Sequence, residues 1–246
     1  MAEKQVQPEV VETNETVAKA KDFWAKFSKP VIYVGSAIIL LIGGWYGYKT
    51  FIVAPKEQKA SEAFFPAEKL FGKIIQAGSF SKDSVGTVLN GGADGELKVT
   101  GLLTIIKSYS GTNAANLANY MAGACYLHLK EFDKAIKHLK EFDGNGASQI
   151  ESAAYRMLGD AYAEQKKNDE ALSNYKKAID VASSKDEGTR FQALSRAALF
   201  CEATGKSADA VVFLKQIKEE ITPDFFTNNR IDFDVDKYLA KHGVFE

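Results

Sequence analysis

The residues able to do chemistry are few and badly spaced for it. The chain has three histidines and two cysteines, little material for a zinc site that needs four ligands. His128 and His138 have no third ligand near them in sequence, so a metal centre is not expected. Gly205-Lys206-Ser207 resembles the end of a phosphate-binding loop, but Phe200 stands where that loop needs its first glycine. Asn90, Gly91, Gly92, Asp94 and Gly95 lack the spacing and the closing glutamate of a calcium loop. No Ser/His/Asp set and no paired-carboxylate site is visible. The sequence therefore points away from an enzyme, and no cofactor is implied. The 31 Lys+Arg and 32 Asp+Glu leave a formal net charge of −1, which argues against a nucleic-acid binder.

Chemistry being absent, function must lie in the elements and the surfaces they carry. Val31–Tyr48 contains no charged residue, and after Lys49 and Thr50 the run continues through Val53, 23 positions in all. As a helix that is about 35 Å, enough for a hydrocarbon core of about 30 Å. Tyr33 lies at one end and Trp45, Tyr46 and Tyr48 at the other, where amphipathic rings favour the headgroup zone. The two other readings weighed are the buried helix of a soluble core and a cleaved signal peptide, for which the preceding tail is too long and too acidic. Residues 30–53 are thus expected to be a transmembrane helix embedded in lipid. Residues 1–29 form its tail, disordered over roughly the first 15 positions, with VAKAKDFWAKF able to make a short interfacial helix. Lys19, Lys21, Lys26 and Lys29 before the span outnumber Lys49, Lys56 and Lys59 after it. That bias places the N-terminus in the cytoplasm and exports the rest.

The exported part repeats itself. Counting from Ser152, large residues and small ones fall at Tyr155, Leu158, Gly159, Tyr162, Ala171, Tyr175 and Ala178. This pattern resembles the tetratricopeptide repeat, a helix pair of about 34 residues. Gly159 and Ala171 would let the two helices approach closely, with the tyrosines filling the space between repeats. A weaker copy from Asn116 places Ala122, Gly123, Tyr126, Ala135, Leu139 and Phe142; another from Phe191 places Leu194, Ala197, Ala198, Cys201, Ala210, Leu214 and Ile217. The expected architecture is all-α, a transmembrane helix followed by an α-solenoid of three repeats (116–149, 152–185, 191–224). Residues 54–115 are expected as an N-terminal helical cap, with helices near 56–77 and 96–109 and a mobile, Gly/Ser/Asp-rich loop at 78–95. Residues 225–246 are expected as a C-terminal capping helix. In this frame Cys201 falls in the core and Cys125 beside it, one repeat apart and too far for a disulfide.

The resemblance also implies a concave groove faced by five positions of each first helix. These are Leu117, Tyr120, Ala124, Leu127 and His128, then Ala153, Arg156, Asp160, Ala163 and Glu164, then Gln192, Ser195, Leu199, Glu202 and Ala203. The candidate partner-binding set is Leu117, Tyr120, Leu127, His128, Arg156, Asp160, Glu164, Ser195 and Glu202. Repeats that clamp a C-terminal carboxylate carry a Lys and Asn set here, and Tyr120 and Ala124 depart from it.

A short tail, one anchor and an exported array of three repeats resembles the YfgM-type ancillary subunit of the Sec translocon. The segment GLLTIIKSYSGTNAANLANYMAGACYLHLKEFDKAIKHL is similar to the version common in Bacteroidota, and the similarity covers most of residues 30–240. The resemblance implies an inner-membrane protein beside the SecYEG channel, partnered by a membrane-anchored prolyl isomerase of the PpiD type or another periplasmic chaperone. It would help hand exported proteins on. The competing expectation is a cell-envelope adaptor like the repeat protein of the Tol–Pal system. That protein carries an N-terminal coiled coil, and no sustained heptads precede the repeats here.

Overall fold

The computed structural model describes residues 11–245, arranged as two units, Met1–Pro55 and Lys56–Glu246. Of the tail expected to be disordered, residues 1–10 lie outside the described residues. From Val11 onward the tail is helical, because α1 runs Val11–Tyr48 and takes in the lysine-rich segment and Pro30. A π-helical turn follows at Lys49–Val53, so the expected span 30–53 is helical but changes register in its last turn. Ser36, the hydroxyl inside the apolar run, donates back to the Ile32 carbonyl at 2.8 Å, the usual way a helix satisfies such a group. The apolar window is long enough to cross a membrane, and none of it is buried within the protein. A core helix would be covered; this one exposes Ile39, Leu40 and Leu41 by more than 70% each.

The second unit begins with a cap. Helix α2 (Ala54–Ala77) buries Phe64, Leu70, Phe71 and Ile74 on one face. The mobile loop expected at 78–95 is instead largely structured. Ser81 caps α3 (Lys82–Asn90) by accepting from the Ser84 amide, and Val85, Val88 and Leu89 are buried. Their i, i+3, i+4 spacing is a helical stripe, strong enough to order a segment whose composition suggests a loop. Strands β1 (Gly92–Asp94) and β2 (Leu97–Val99) then form an antiparallel hairpin, a small exception to the all-α expectation. Gly95, with φ +63°, supplies the positive φ that tight hairpin turns need. The helix expected at 96–109 is accordingly shorter, α4 at Leu102–Ser108.

Three helix pairs follow: α5 (Asn113–His128) with α6 (Phe132–Glu141), α7 (Ser148–Glu164) with α8 (Asn168–Val181), and α9 (Glu187–Ala203) with α10 (Ser207–Glu220). Each first helix starts three or four residues before the repeat frame. Thr112 and Asp186 cap α5 and α9 by accepting amides of Ala115 and Thr189, and the Glu57 carboxylate accepts the Asn113 amide at 2.9 Å. These acceptors serve helix N-termini that would otherwise leave donors unpaired. The turn within each pair uses one left-handed residue, Lys130, Lys166 and Gly205. Gly205-Lys206-Ser207 is therefore a helix–helix turn, with Lys206 paired to Asp169 at 3.2 Å.

Two apolar clusters fill the unit. One joins the cap to the first pair and part of α7; the other joins the second and third pairs to the C-terminal cap. Cys125 lies in the first and Cys201 in the second; both are free and fully buried, so Cys125 is in the core rather than beside it. Burial pushes their thiols up, to about 12 and about 11 respectively, as expected of inert core cysteines. Within the third pair Arg190 binds Glu220 through two contacts (2.5 and 3.0 Å), and it reaches across to the second pair by donating to the Ile179 carbonyl at 2.6 Å. The C-terminal region is two short helices rather than one, α11 (Pro223–Asn229) and α12 (Val235–Lys241).

Candidate partner-binding face

The face shared by α5, α7 and α9 carries the candidate set, and the structure sorts it into three zones. At the α5 end, Leu117 and Leu127 are half-buried against the N-terminal cluster. The Tyr120 ring lies 5.3 Å from Phe142; burial raises its phenol pKa, partly offset by Arg156. His128 is covered on one side by Phe80, ring on ring at 3.4 Å and 11°, and desolvation lowers its pKa. Phe80 comes from the segment expected to be a mobile loop, so His128 serves the cap as much as the face.

The middle zone is a connected polar cluster. Asp160 Oδ1 accepts from the Tyr175 hydroxyl at 2.6 Å and from Arg196 Nε at 2.7 Å. Arg156 Nη2 donates to Gln192 Oε1 at 2.8 Å. Two cross-links thus bridge α7 to α9, and α8 supplies the tyrosine beneath them. Burial drives the Tyr175 phenol up, reinforced by the Asp160 carboxylate. Burial also pushes the Arg156 guanidinium below its ordinary range, opposed by Asp160, while the hydrogen bond to Asp160 raises that of Arg196. Arg196 lies outside the five expected positions; its signal was a cation one helical turn beyond Gln192, set to meet the acid of the preceding repeat. Tyr175, expected as a space-filler, is also a donor.

At the far end the expectation needs correcting. Glu202 is not an open groove residue: Lys241 Nζ reaches its carboxylate at 2.5 Å and His242 Nε2 contacts the other oxygen. Ser195 turns back on its own helix, 3.5 Å from the Gln192 carbonyl; Glu164 is exposed. Burial alone would raise the Glu202 carboxyl, but the Lys241 and His242 contacts outweigh it and hold it below the ordinary range. A carboxylate depressed in this way stabilises the fold above its unfolded pKa of about 4.3 and stops doing so as pH falls through the lower folded value. We expect α12 to loosen below pH ~4, read as faster amide exchange over Val235–Lys241. Glu202→Gln should exchange fast at neutral pH and lose that step; an unchanged exchange profile in this variant would disprove the lock.

Among the described residues no group of three or more His, Cys, Asp or Glu side chains could hold a metal ion. Residues 152–185 match the family model of the tetratricopeptide repeat. No curated protein and no solved structure matches the chain. The matched segment is the pair α7 and α8, the pair with every pattern position filled. Repeats of this family are protein-interaction modules, so the chain carries an interaction scaffold behind a helix able to cross a membrane.

Proposed function

We propose that the chain is a non-catalytic, membrane-anchored scaffold whose helix face receives a segment of a partner protein. In its finer form the proposal is an ancillary subunit of the Sec translocon, seated in the inner membrane with the N-terminus cytoplasmic and the repeats periplasmic. There it would sit beside SecYEG and work with a PpiD-type isomerase or another periplasmic chaperone. The observation that carries the reading is the pairing of an uncovered apolar span with a repeat array in one chain. An anchor confines the array to the membrane plane and raises its local concentration near embedded partners, and stacked helix pairs present an extended surface for a helix or peptide. Tyr120, Leu127, Arg156 and Asp160 are the contacts we assign to it, aromatic and Arg side chains being favoured anchors.

Purification from mild detergent followed by mass spectrometry tests this. We expect the channel and a chaperone in the wild-type eluate. Tyr120→Ala with Arg156→Ala should lower chaperone recovery while leaving the channel bound through the membrane helix. Absence of both from the wild-type eluate would sink the translocon reading and favour an envelope adaptor of the Tol–Pal kind. An alkaline phosphatase fused after Glu246 should be active; an inactive one would reverse the topology.

A further inference from the structure

Where α7 and α9 run side by side, two guanidiniums share one carboxylate. Arg196 is bound to Asp160, which already accepts the Tyr175 hydroxyl on the same oxygen. Arg156 has Gln192 for one of its nitrogens, a neutral acceptor, and shares the field of the Asp160 carboxylate with Arg196. Its Nε is buried without a partner, one of three such side-chain atoms among the described residues. The formal charge of this cluster is two cations against one anion. Of the other acids on the face, Glu202 is committed to Lys241 and His242, and Glu164 is exposed one helical turn beyond Asp160. A desolvated, under-paired guanidinium is costly until an anion reaches it, and its planar fork suits a carboxylate.

Apolar surface lies on both sides of the cluster. The half-buried Leu117 and Tyr120 flank it on α5, and Leu199, 39% exposed, flanks it on α9. We propose that this point recognises an aspartate or glutamate side chain within the partner segment, with apolar residues on either side of it. The inference rests on the scaffold reading above and adds the chemistry of what the face receives. An internal acid fits better than a chain-terminal carboxylate, because a peptide ending at the cluster would leave one apolar flank uncovered. Arg196, with its side chain 52% exposed, is the first contact. Arg156 is the deeper one, its half-buried guanidinium adding a second cation beside the first.

The full chain in detergent micelles is panned with a random 12-residue peptide library displayed on phage. Asp or Glu should be enriched among the selected peptides, with an apolar residue within three positions, and Arg156→Gln with Arg196→Gln should abolish that enrichment. A synthetic peptide of the strongest sequence should lose about tenfold in affinity when its acid becomes an amide. It should lose nothing when its C-terminus is amidated. This Glu/Gln peptide comparison is made on the wild-type protein and needs no variant to fold. Selection without acidic residues, with binding still weakened by Tyr120→Ala, overturns the inference and leaves the scaffold reading standing. Loss on C-terminal amidation instead assigns the site to a terminal carboxylate and overturns it as well. No selection above empty micelles removes both readings.

Discussion

Gly159→Leu should destabilise residues 54–246 by about 1–3 kcal/mol or more, a shift of about 2–4 °C in melting midpoint for each kcal/mol. A Cβ at Gly159 would stand 2.5 Å from Tyr175 Cε1 and 2.6 Å from Cδ1. That ring cannot simply step aside. It is 2% exposed, its hydroxyl is held by Asp160 at 2.6 Å, and Phe200 of the next pair lies 5.1 Å from it. Moving it breaks a buried hydrogen bond and disturbs the α7–α9 cross-link, so the loss should spread from the second pair into the third. Gly123→Ala should also destabilise, because its Cβ would stand 2.5 Å from Leu139 Cγ and 2.7 Å from Cδ2, on a side chain only 2% exposed. Gly72→Ala should act in the opposite direction. Nothing lies within 4 Å of its Cβ position, it sits inside α2, and alanine gains about 1 kcal/mol over glycine in a helix interior. Thermal melting followed by circular dichroism reads all three. An unchanged midpoint for Gly159→Leu would mean that α7 and α8 do not meet through this glycine.

This contact was legible in the sequence because the repeat pattern is a packing pattern. Gly159, Ala171 and Tyr175 appear at their positions for reasons that the helix pair itself imposes, and one strongly patterned pair fixes the frame for its neighbours. The cap was less legible. Residues 82–90 include Gly86 and five polar or charged side chains, so composition favours a loop, while the buried stripe of Val85, Val88 and Leu89 is too short to stand out from chance. Its order comes from packing against α4 and α5 within the N-terminal cluster, which no local pattern announces. The candidate face shows the same division. Arg156 and Asp160 were found because the frame points them outward. Arg196 was missed because it lies between frame positions and acts only through a partner 36 residues away. Glu202 was misjudged for the converse reason: its frame position is outward, but α12 returns to cover it.

The face available to a partner is narrower than the repeat frame implies. With His128 stacked under Phe80 and Glu202 held by Lys241, both ends of the candidate set are engaged by the caps. Between these ends lies the centre, Tyr120, Arg156, Asp160 and Arg196, half-buried apart from the exposed Arg196, which bridges the first and third pairs. A cluster that cross-links consecutive repeats and also meets the partner would couple binding to the rigidity of the array.

A face of this modest extent makes the anchor decisive, and removing it should produce the largest functional effect. Fragment 54–246 keeps every residue of both apolar clusters, so it should fold, remain soluble without detergent and melt as the full chain does. Its partner recovery should nevertheless fall by about 100-fold, because linking two engagement points commonly multiplies apparent affinity by about that factor or more. The comparison needs a third protein, in which residues 30–53 are replaced by an unrelated apolar helix of equal length. If confinement to the membrane is what matters, the replacement restores the proposed chaperone partner. If the native helix also docks against the proposed channel, that partner alone stays lost. The full chain should sediment with membranes and enter solution only with detergent. Soluble full-length protein, or a fragment that recovers partners as well as the anchored chain, would show that residues 30–53 do not serve as an anchor and that the array works unassisted.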